Sequence, residues 1–266
     1  MSSKFQAVCQ PTNPNPNETP KRQILDLDDE SQVLYVPRFL SFQDSWKFFD
    51  FLNNQIPWTR PTLRVFGRAC VQPRDTCYVA SPGLPDLVYS GHQPHAHSWD
   101  EFPPLKDILE AVHKALPGSC FNSLLLNRYK GGNDYVGWHS DDEKLYGSAP
   151  EIASVSFGCD RDFFLKKKPG KKSNAKEGRN NEEPASKRLK RSGHAGQHSF
   201  TLKHGSLFVM RGYTQGIGFT RCLSVLKLMQ PESILHSGVL SDSYWNQGMV
   251  VVRFAPVFVY DLLVWL

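Results

Sequence analysis

A mainly β domain with flanking helices, arranged as a sandwich or jelly roll, is the fold class this sequence predicts, and three observations predict it. From Phe121 onward the chain breaks into short β-rich runs, FNSLLLNRY, DYVGWHS, IASVSFG, RDFFLKK, HSFTLK and GSLFVM, separated by Gly, Asn, Asp and Pro. Two stretches of helical period precede them. The hydrophobic fraction of 40% and aromatic fraction of 12% supply a core, which excludes a globally disordered chain. At 266 residues the chain accommodates one catalytic-size core with flexible additions.

Residues 1–30 are rich in Pro, Asn and acids and are expected to stay mobile, with order beginning at Gln32-Val-Leu-Tyr-Val36. Ser41 followed by Asp44 matches a capping box. Trp46, Phe49 and Leu52 then recur at helical spacing until Pro57 stops the run. After Pro104, Leu105, Ile108, Leu109, Val112 and Leu116 share a second helical face that ends at Pro117-Gly118. Both helices are expected to support a sheet.

Six cysteines without a C-x-x-C pair exclude a zinc ribbon, a thioredoxin-like motif and a secreted disulfide scaffold, and read as reduced thiols. The first residues have no apolar h-region, so no secretory signal is expected. The apolar tail after Gly248 is interrupted by Arg253, Pro256 and Asp261, so no membrane span is expected either.

The net charge of +5 is concentrated. Eleven Lys or Arg against three Glu give Lys166–Arg191 a charge of +8, leaving −3 for the rest. This segment, within a basic insertion at about 166–198, lacks an apolar period and lies between two strand-like runs. It reads as a long hairpin insertion suited to phosphate contacts, and its SKRLKR core also looks like a nuclear address. A solvated loop is the plainer alternative.

The stretch VGWHSDDEKL places His139 and Asp141 two residues apart. On a strand they share a face. A histidine nitrogen with a hard carboxylate oxygen, joined by one more histidine, is the facial triad of non-haem Fe(II) chemistry. An isolated H-x-D is weak evidence, because a surface His beside a turn acid is commoner. The pair His95 and His97, with Asp100 nearby, lies in a Pro-containing loop and is expected to bind no metal.

The surroundings of His139 sharpen the reading. LLLNRYKGGNDYVGWHSDDE followed by IASVSFGCDRDFFLK closely resembles the AlkB-like alkylation-repair dioxygenases, in the branch that repairs duplex and single-stranded DNA. RVFGRACVQPRDTCYVA, YSGHQ and HGSLFVMRGYTQ fit the same branch, so the resemblance covers about residues 33–215 without the insertion. It implies a double-stranded β-helix, a cupin-like jelly roll, using Fe(II), 2-oxoglutarate and dioxygen. It further implies oxidation of an N-methyl group on a base of the 1-methyladenine or 3-methylcytosine type. By the same resemblance 2-oxoglutarate is decarboxylated to succinate, and the hydroxymethyl product collapses to formaldehyde and the repaired base.

By that resemblance His139 and Asp141 are catalytic metal ligands, and Asn127 and Tyr129 of NRY bind 2-oxoglutarate. Asp142 and Glu143 contact the substrate base or order the metal shell, with exposed turn acids as the alternative. A lesion on the Watson–Crick edge must be flipped out to be oxidised, at a cost of a few kcal/mol. Phe66, in RVFG, matches the family's finger hairpin as the wedge that replaces the stacking of the extruded base. Arg74 and Tyr78 match the lid over the flipped base and its phosphate. The expected partner is DNA, with RNA not distinguished from it. The expected state is a monomer, and the expected location the nucleus.

The pattern breaks after RGYTQ. The family continues with W-x-H-S-V-P, bearing the distal histidine, and with R-x-N-x-T-F-R, whose first arginine pairs with the far carboxylate of 2-oxoglutarate. Here residues 216–266 form a divergent tail whose only histidine is His236 and whose only arginine near a strand-like run is Arg253. His204 matches a family turn rather than a ligand. The abrupt change at Gln215-Gly216 points to an alternative transcript or a misassembled gene. Three readings follow: an active dioxygenase whose site is completed by His236 and Arg253; a catalytically impaired isoform that still binds nucleic acid; and a metal-binding jelly roll acting on another substrate class, against which the Phe66 context argues. The fold expected for residues 31–215 is the dioxygenase domain.

Overall fold

The computed structural model describes residues 21–27, 31–65, 67–141, 144–147, 149–167, 197–212, 214, 218–223 and 248–255. Its strands, in chain order, are Gln23–Asp26 (β1), Gln32–Val36 (β2), Thr62–Val65 (β3), Arg68–Val71 (β4), Asp75–Ala80 (β5), Ala96–His97 (β6) and Ser123–Tyr129 (β7). Then come Val136–His139 (β8), Ile152–Gly158 (β9), Arg161–Lys167 (β10), Gln197–Leu202 (β11), Ser206–Arg211 (β12), Gly218–Leu223 (β13) and Met249–Ala255 (β14). Eight form a large sheet in the order β1-β2-β12-β9-β14-β7-β5-β6, four form a smaller sheet β11-β10-β13-β8, and β3 and β4 form a separate hairpin. Only the short β5/β6 pairing in the large sheet is parallel among the described residues.

The alternation of strand side chains decides what each face of the large sheet does. On one face, Val79, Leu124, Leu126, Ala153, Val155, Val250, Val252 and Phe254 pack against the helices Phe42–Gln55 (α1) and Pro103–Ala115 (α2). Phe48, Phe49 and Leu52 of α1 and Leu105, Ile108 and Val112 of α2 meet them, as the helical spacing of these residues predicts. Ser41 caps α1, its Oγ accepting from the Asp44 amide at 3.1 Å. The other face looks into the space between the sheets. Tyr35, Tyr78, Tyr129, Ile152, Phe208, Met249 and Val251 there contact Leu165 and Leu202 of the smaller sheet. This is a jelly roll with its helices on one outer face.

Two positions differ from the sequence expectation. Order begins before Gln32: β1 pairs antiparallel with β2, and Gln32 Nε2 donates to Asp26 Oδ1 at 2.8 Å. The hydrogen-bond ladder supplied by β2 makes an ordered strand of a polar segment that has no core of its own. After Gln215, β13 pairs with both β10 and β8, and β14 lies in the middle of the large sheet between β7 and β9. The apolar run MVVVRFA suits that position because a central strand is covered on both faces.

Residues 168–196 of the basic insertion lie outside the described residues. β10 and β11, which flank them, pair antiparallel up to Lys166 opposite Gln197, so the insertion connects the two strands of one hairpin.

Candidate active site

β8 delivers His139 at its last residue, and Asp141 follows two positions later. The His139 ring is held by Nδ1, 2.8 Å from the Gly137 carbonyl. A carbonyl only accepts, so Nδ1 carries the proton and Nε2 of the neutral ring presents its lone pair. That Nε2 lies 3.7 Å from Asp141 Oδ1. Burial lowers the His139 pKa against the opposing pull of Asp141, while Arg253 and Arg74 lower it further. A neutral imidazole beside a carboxylate is the donor pair a divalent metal requires.

Arg253 reaches this pair from β14, its Nη2 forming an ion pair with Asp141 Oδ2. Its strand runs beside β7 with Val251 opposite Asn127, Met249 opposite Tyr129 and Arg253 opposite Leu125. Asn127, Tyr129 and Arg253 therefore occupy the same interior face, along with Thr76 and Tyr78 of β5, which stand opposite Asn127 and Leu125. Asn127 is buried, and its Oδ1 accepts from Arg74 Nε at 2.7 Å.

Buried polar groups without partners mark the same interior. Among the described residues Tyr78 Oη lacks a hydrogen-bond partner within normal geometry, and the nearby Ser123 hydroxyl donates to the Ala255 carbonyl at 3.1 Å. Burial pushes the Tyr78 phenol up, keeping it a neutral donor. Ser156 Oγ is likewise buried without a partner among the described residues. An unmet buried hydroxyl costs roughly 1–3 kcal/mol unless something polar meets it, and a bound carboxylate ligand would. The donor set thus fits both groups the resemblance implies. His139 and Asp141 could offer one nitrogen and one oxygen to a divalent metal, and the Asn127, Tyr78 and Arg253 groups would suit an anionic cosubstrate. Among the described residues no cluster of three or more His, Cys, Asp or Glu could hold a metal. His236, expected as the third ligand, lies outside them, as do Phe66, Asp142 and Glu143.

Several supports of the site were not legible in the motifs. Arg161 is buried, lies 4.4 Å above the Tyr129 ring and donates to the carbonyls of Asp134 at 2.7 Å and Gly131 at 3.2 Å. It thereby fixes the turn that carries the chain from NRY to His139. Asp75 is ringed by Lys130, Arg60 and Arg128. Burial alone would raise its pKa, but these three cations together hold the carboxyl below its usual range. The Tyr89 hydroxyl lies 3.4 Å from Gln72 Oε1, placing the YSGHQ segment against the same region. His97 Nδ1 lies 2.9 Å from Glu101 Oε2. His204 packs on the helix side of the large sheet, away from His139, with its ring 4.3 Å from Trp46.

The jelly roll carries a His-x-Asp pair with Arg253 against its carboxylate, and sequence comparison places this architecture among the iron-dependent oxygenases. Residues 32–238 match the 2OG-Fe(II) oxygenase superfamily, so the chain belongs to that superfamily. It is 64% identical over 204 residues to an Arabidopsis thaliana protein named DNA oxidative demethylase ALKBH2, covering 76% of this chain and 64% of that protein. A Bos taurus protein named alpha-ketoglutarate-dependent dioxygenase alkB homolog 3 is 32% identical over 70% of this chain and 58% of its own length. The Homo sapiens DNA oxidative demethylase ALKBH2 is 38% identical over 40% of this chain and 39% of its own. The jelly-roll fold holds, and these relatives bear out the expected likeness to AlkB-like dioxygenases. The chain thus spans under two-thirds of the length of these relatives.

Proposed function

We propose that this chain removes N-alkyl groups oxidatively from bases in DNA, of the 1-methyladenine and 3-methylcytosine type, using Fe(II), 2-oxoglutarate and dioxygen. The observation that carries the reading is the 64% identity to the Arabidopsis protein named DNA oxidative demethylase, across a segment that includes the His139–Asp141 pair. Bound iron would supply oxidising power drawn from dioxygen and 2-oxoglutarate. His139 Nε2 and Asp141 would hold the metal, with His236 as the proposed third ligand. Arg253 keeps one Asp141 oxygen occupied, so that the other faces His139. Its charge, with the Asn127 amide and the Tyr129 and Tyr78 hydroxyls, orients the dicarboxylate, and the apolar interior beneath excludes water.

The substrate side is built from the hairpin β3–β4 and the segment leading into β5. Phe66, in the hairpin's connection, acts as the wedge that holds the place of the flipped base. Arg74 and Tyr78 face the extruded nucleotide, with Asp142 and Glu143 beside it. A positively charged methylated base is favoured among aromatic rings by cation–π attraction. The basic insertion contributes salt-sensitive phosphate contacts, and its SKRLKR core directs the chain to the nucleus. The chain acts as a monomer on DNA, and among the described residues no helix is long and apolar enough to cross a membrane.

The direct test incubates the full chain with Fe(II), 2-oxoglutarate and a duplex oligonucleotide carrying one 1-methyladenine. Formaldehyde is expected in step with loss of the methyl group, and none from the His139→Ala variant. Retained DNA binding without formaldehyde release would overturn the proposal for this chain.

A further inference from the structure

One hydrogen bond joins two residues whose expected tasks differ. Arg74 belongs to the segment expected to meet nucleic acid, and Asn127 to the strand expected to hold the cosubstrate, yet Arg74 Nε donates to Asn127 Oδ1 at 2.7 Å. The two ends of a side-chain amide are chemically opposite, one an acceptor and the other a double donor. Arginine can only donate. The partner end of Asn127 must therefore be its oxygen, and the Nδ2 donors are turned away from Arg74. Without this bond the amide could rotate by half a turn and present its carbonyl oxygen to an incoming carboxylate, which repels it.

The setting makes this contact more than incidental. Asn127 is buried on the interior face, opposite Val251 on one side and Thr76 on the other, so its amide has few partners to choose among. Arg74 is only half-buried. It directly precedes β5, whose Asp75 is tied to Arg128 of the Asn127 strand at 2.9 Å, so its backbone is anchored beside that strand.

We propose that Arg74 is a positioning residue for the cosubstrate: it fixes the Asn127 amide with its donors toward 2-oxoglutarate, so that cosubstrate affinity depends on a residue of the nucleic-acid-facing segment. The proposal rests on the dioxygenase reading above. It also has a thermodynamic corollary. If 2-oxoglutarate binds best when Arg74 is in place, bound 2-oxoglutarate stabilises Arg74 in place to the same degree. The substrate-facing surface is then better ordered when the cosubstrate is present.

The test is calorimetric titration of 2-oxoglutarate into the full chain loaded with Mn(II), without nucleic acid. Loss of a charge-assisted bond that sets a ligand-facing group is expected to weaken binding about tenfold in Arg74→Ala. Arg74→Lys should be nearly as weak, because an ammonium supplies charge without the guanidinium's fixed donor. Asn127→Ala should weaken binding by itself, and adding Arg74→Ala to it should cost less than a further twofold, as expected of two residues acting through one bond. Thermal transitions of all variants should stay close to that of the unsubstituted chain. Unchanged affinity in Arg74→Ala, full affinity in Arg74→Lys, or an undiminished Arg74→Ala effect in the Asn127→Ala background would each overturn the proposal while leaving the dioxygenase reading intact. Failure of the unsubstituted chain to bind 2-oxoglutarate would overturn both.

Discussion

His204 and His139 show how surroundings give one residue type two fates. His204 lies among Trp46, Phe42 and Phe157, and its Nδ1 accepts from the Gly158 amide at 2.9 Å. Protonating Nδ1 would break that bond in an apolar setting, and burial pushes the His204 pKa down to about 4. A histidine held neutral in the fold but free to charge when unfolded makes the unfolded state the better proton binder between pH 4 and about 6.5. Stability should therefore fall as pH drops through that window, by up to about 1.4 kcal/mol per pH unit from this residue. His204→Gln removes that part of the slope. Urea midpoints measured between pH 4 and 7 check it, and identical pH slopes for the two proteins would refute it. At this scale the sequence was informative where partners are near neighbours. His139 and Asp141 are two residues apart, and NRY lies one turn upstream. Arg161 over Tyr129 and Arg74 on Asn127 join residues 32 and 53 positions apart, and no local pattern announces such pairs.

The elements follow their patterns closely where one face is apolar. Both helices appear where the period of their large side chains places them, and each strand-like run after Phe121 has a strand. The strand after Gly248 was harder to read because MVVVRFA lacks the family's Arg-x-Asn signature, yet its apolar run satisfies a two-sided burial. Its start is constrained by Gly248, with φ of +78°, where an added Cβ would lie 2.3 Å from the Tyr129 carbonyl oxygen. Gly248→Ala therefore adds a backbone collision to left-handed strain and should destabilise by more than about 2 kcal/mol. Gly118→Ala also has positive φ, at +89°, but meets nothing within 4 Å, so only the strain of about 1 kcal/mol is expected. Denaturant unfolding of the two variants separates collision from strain, and equal destabilisation would contradict this account. The same collision at Gly248 would press on the strand that carries Asn127 and Tyr129.

For the whole molecule, charge and fold are separable. The cationic insertion leaves the smaller sheet after Lys167 and returns at Gln197, which faces Lys166 in the ladder. Replacing residues 168–196 by Asn-Gly leaves three residues between that pair, a length that hairpins accept. The shortened protein should keep its thermal transition and bind DNA with a shallower salt dependence, by about 0.9 in the logarithmic slope for each phosphate that the insertion neutralises. An unchanged slope would mean the insertion touches no phosphate. The charge imbalance was plain in the sequence, but its attachment to one hairpin was not, because only the register of β10 with β11 shows it.

The central place of β14 also sets a timetable for synthesis. Of the described strands it emerges from the ribosome last, yet β7 and β9 both pair with it rather than with each other. Until Met249–Ala255 has been made, two strands rich in Leu, Ile and Val wait with open edges, which are natural sites for mispairing and aggregation. The nascent chain therefore needs chaperone protection of these edges until Met249–Ala255 has been made. Arg253 cannot reach Asp141 until that need has passed.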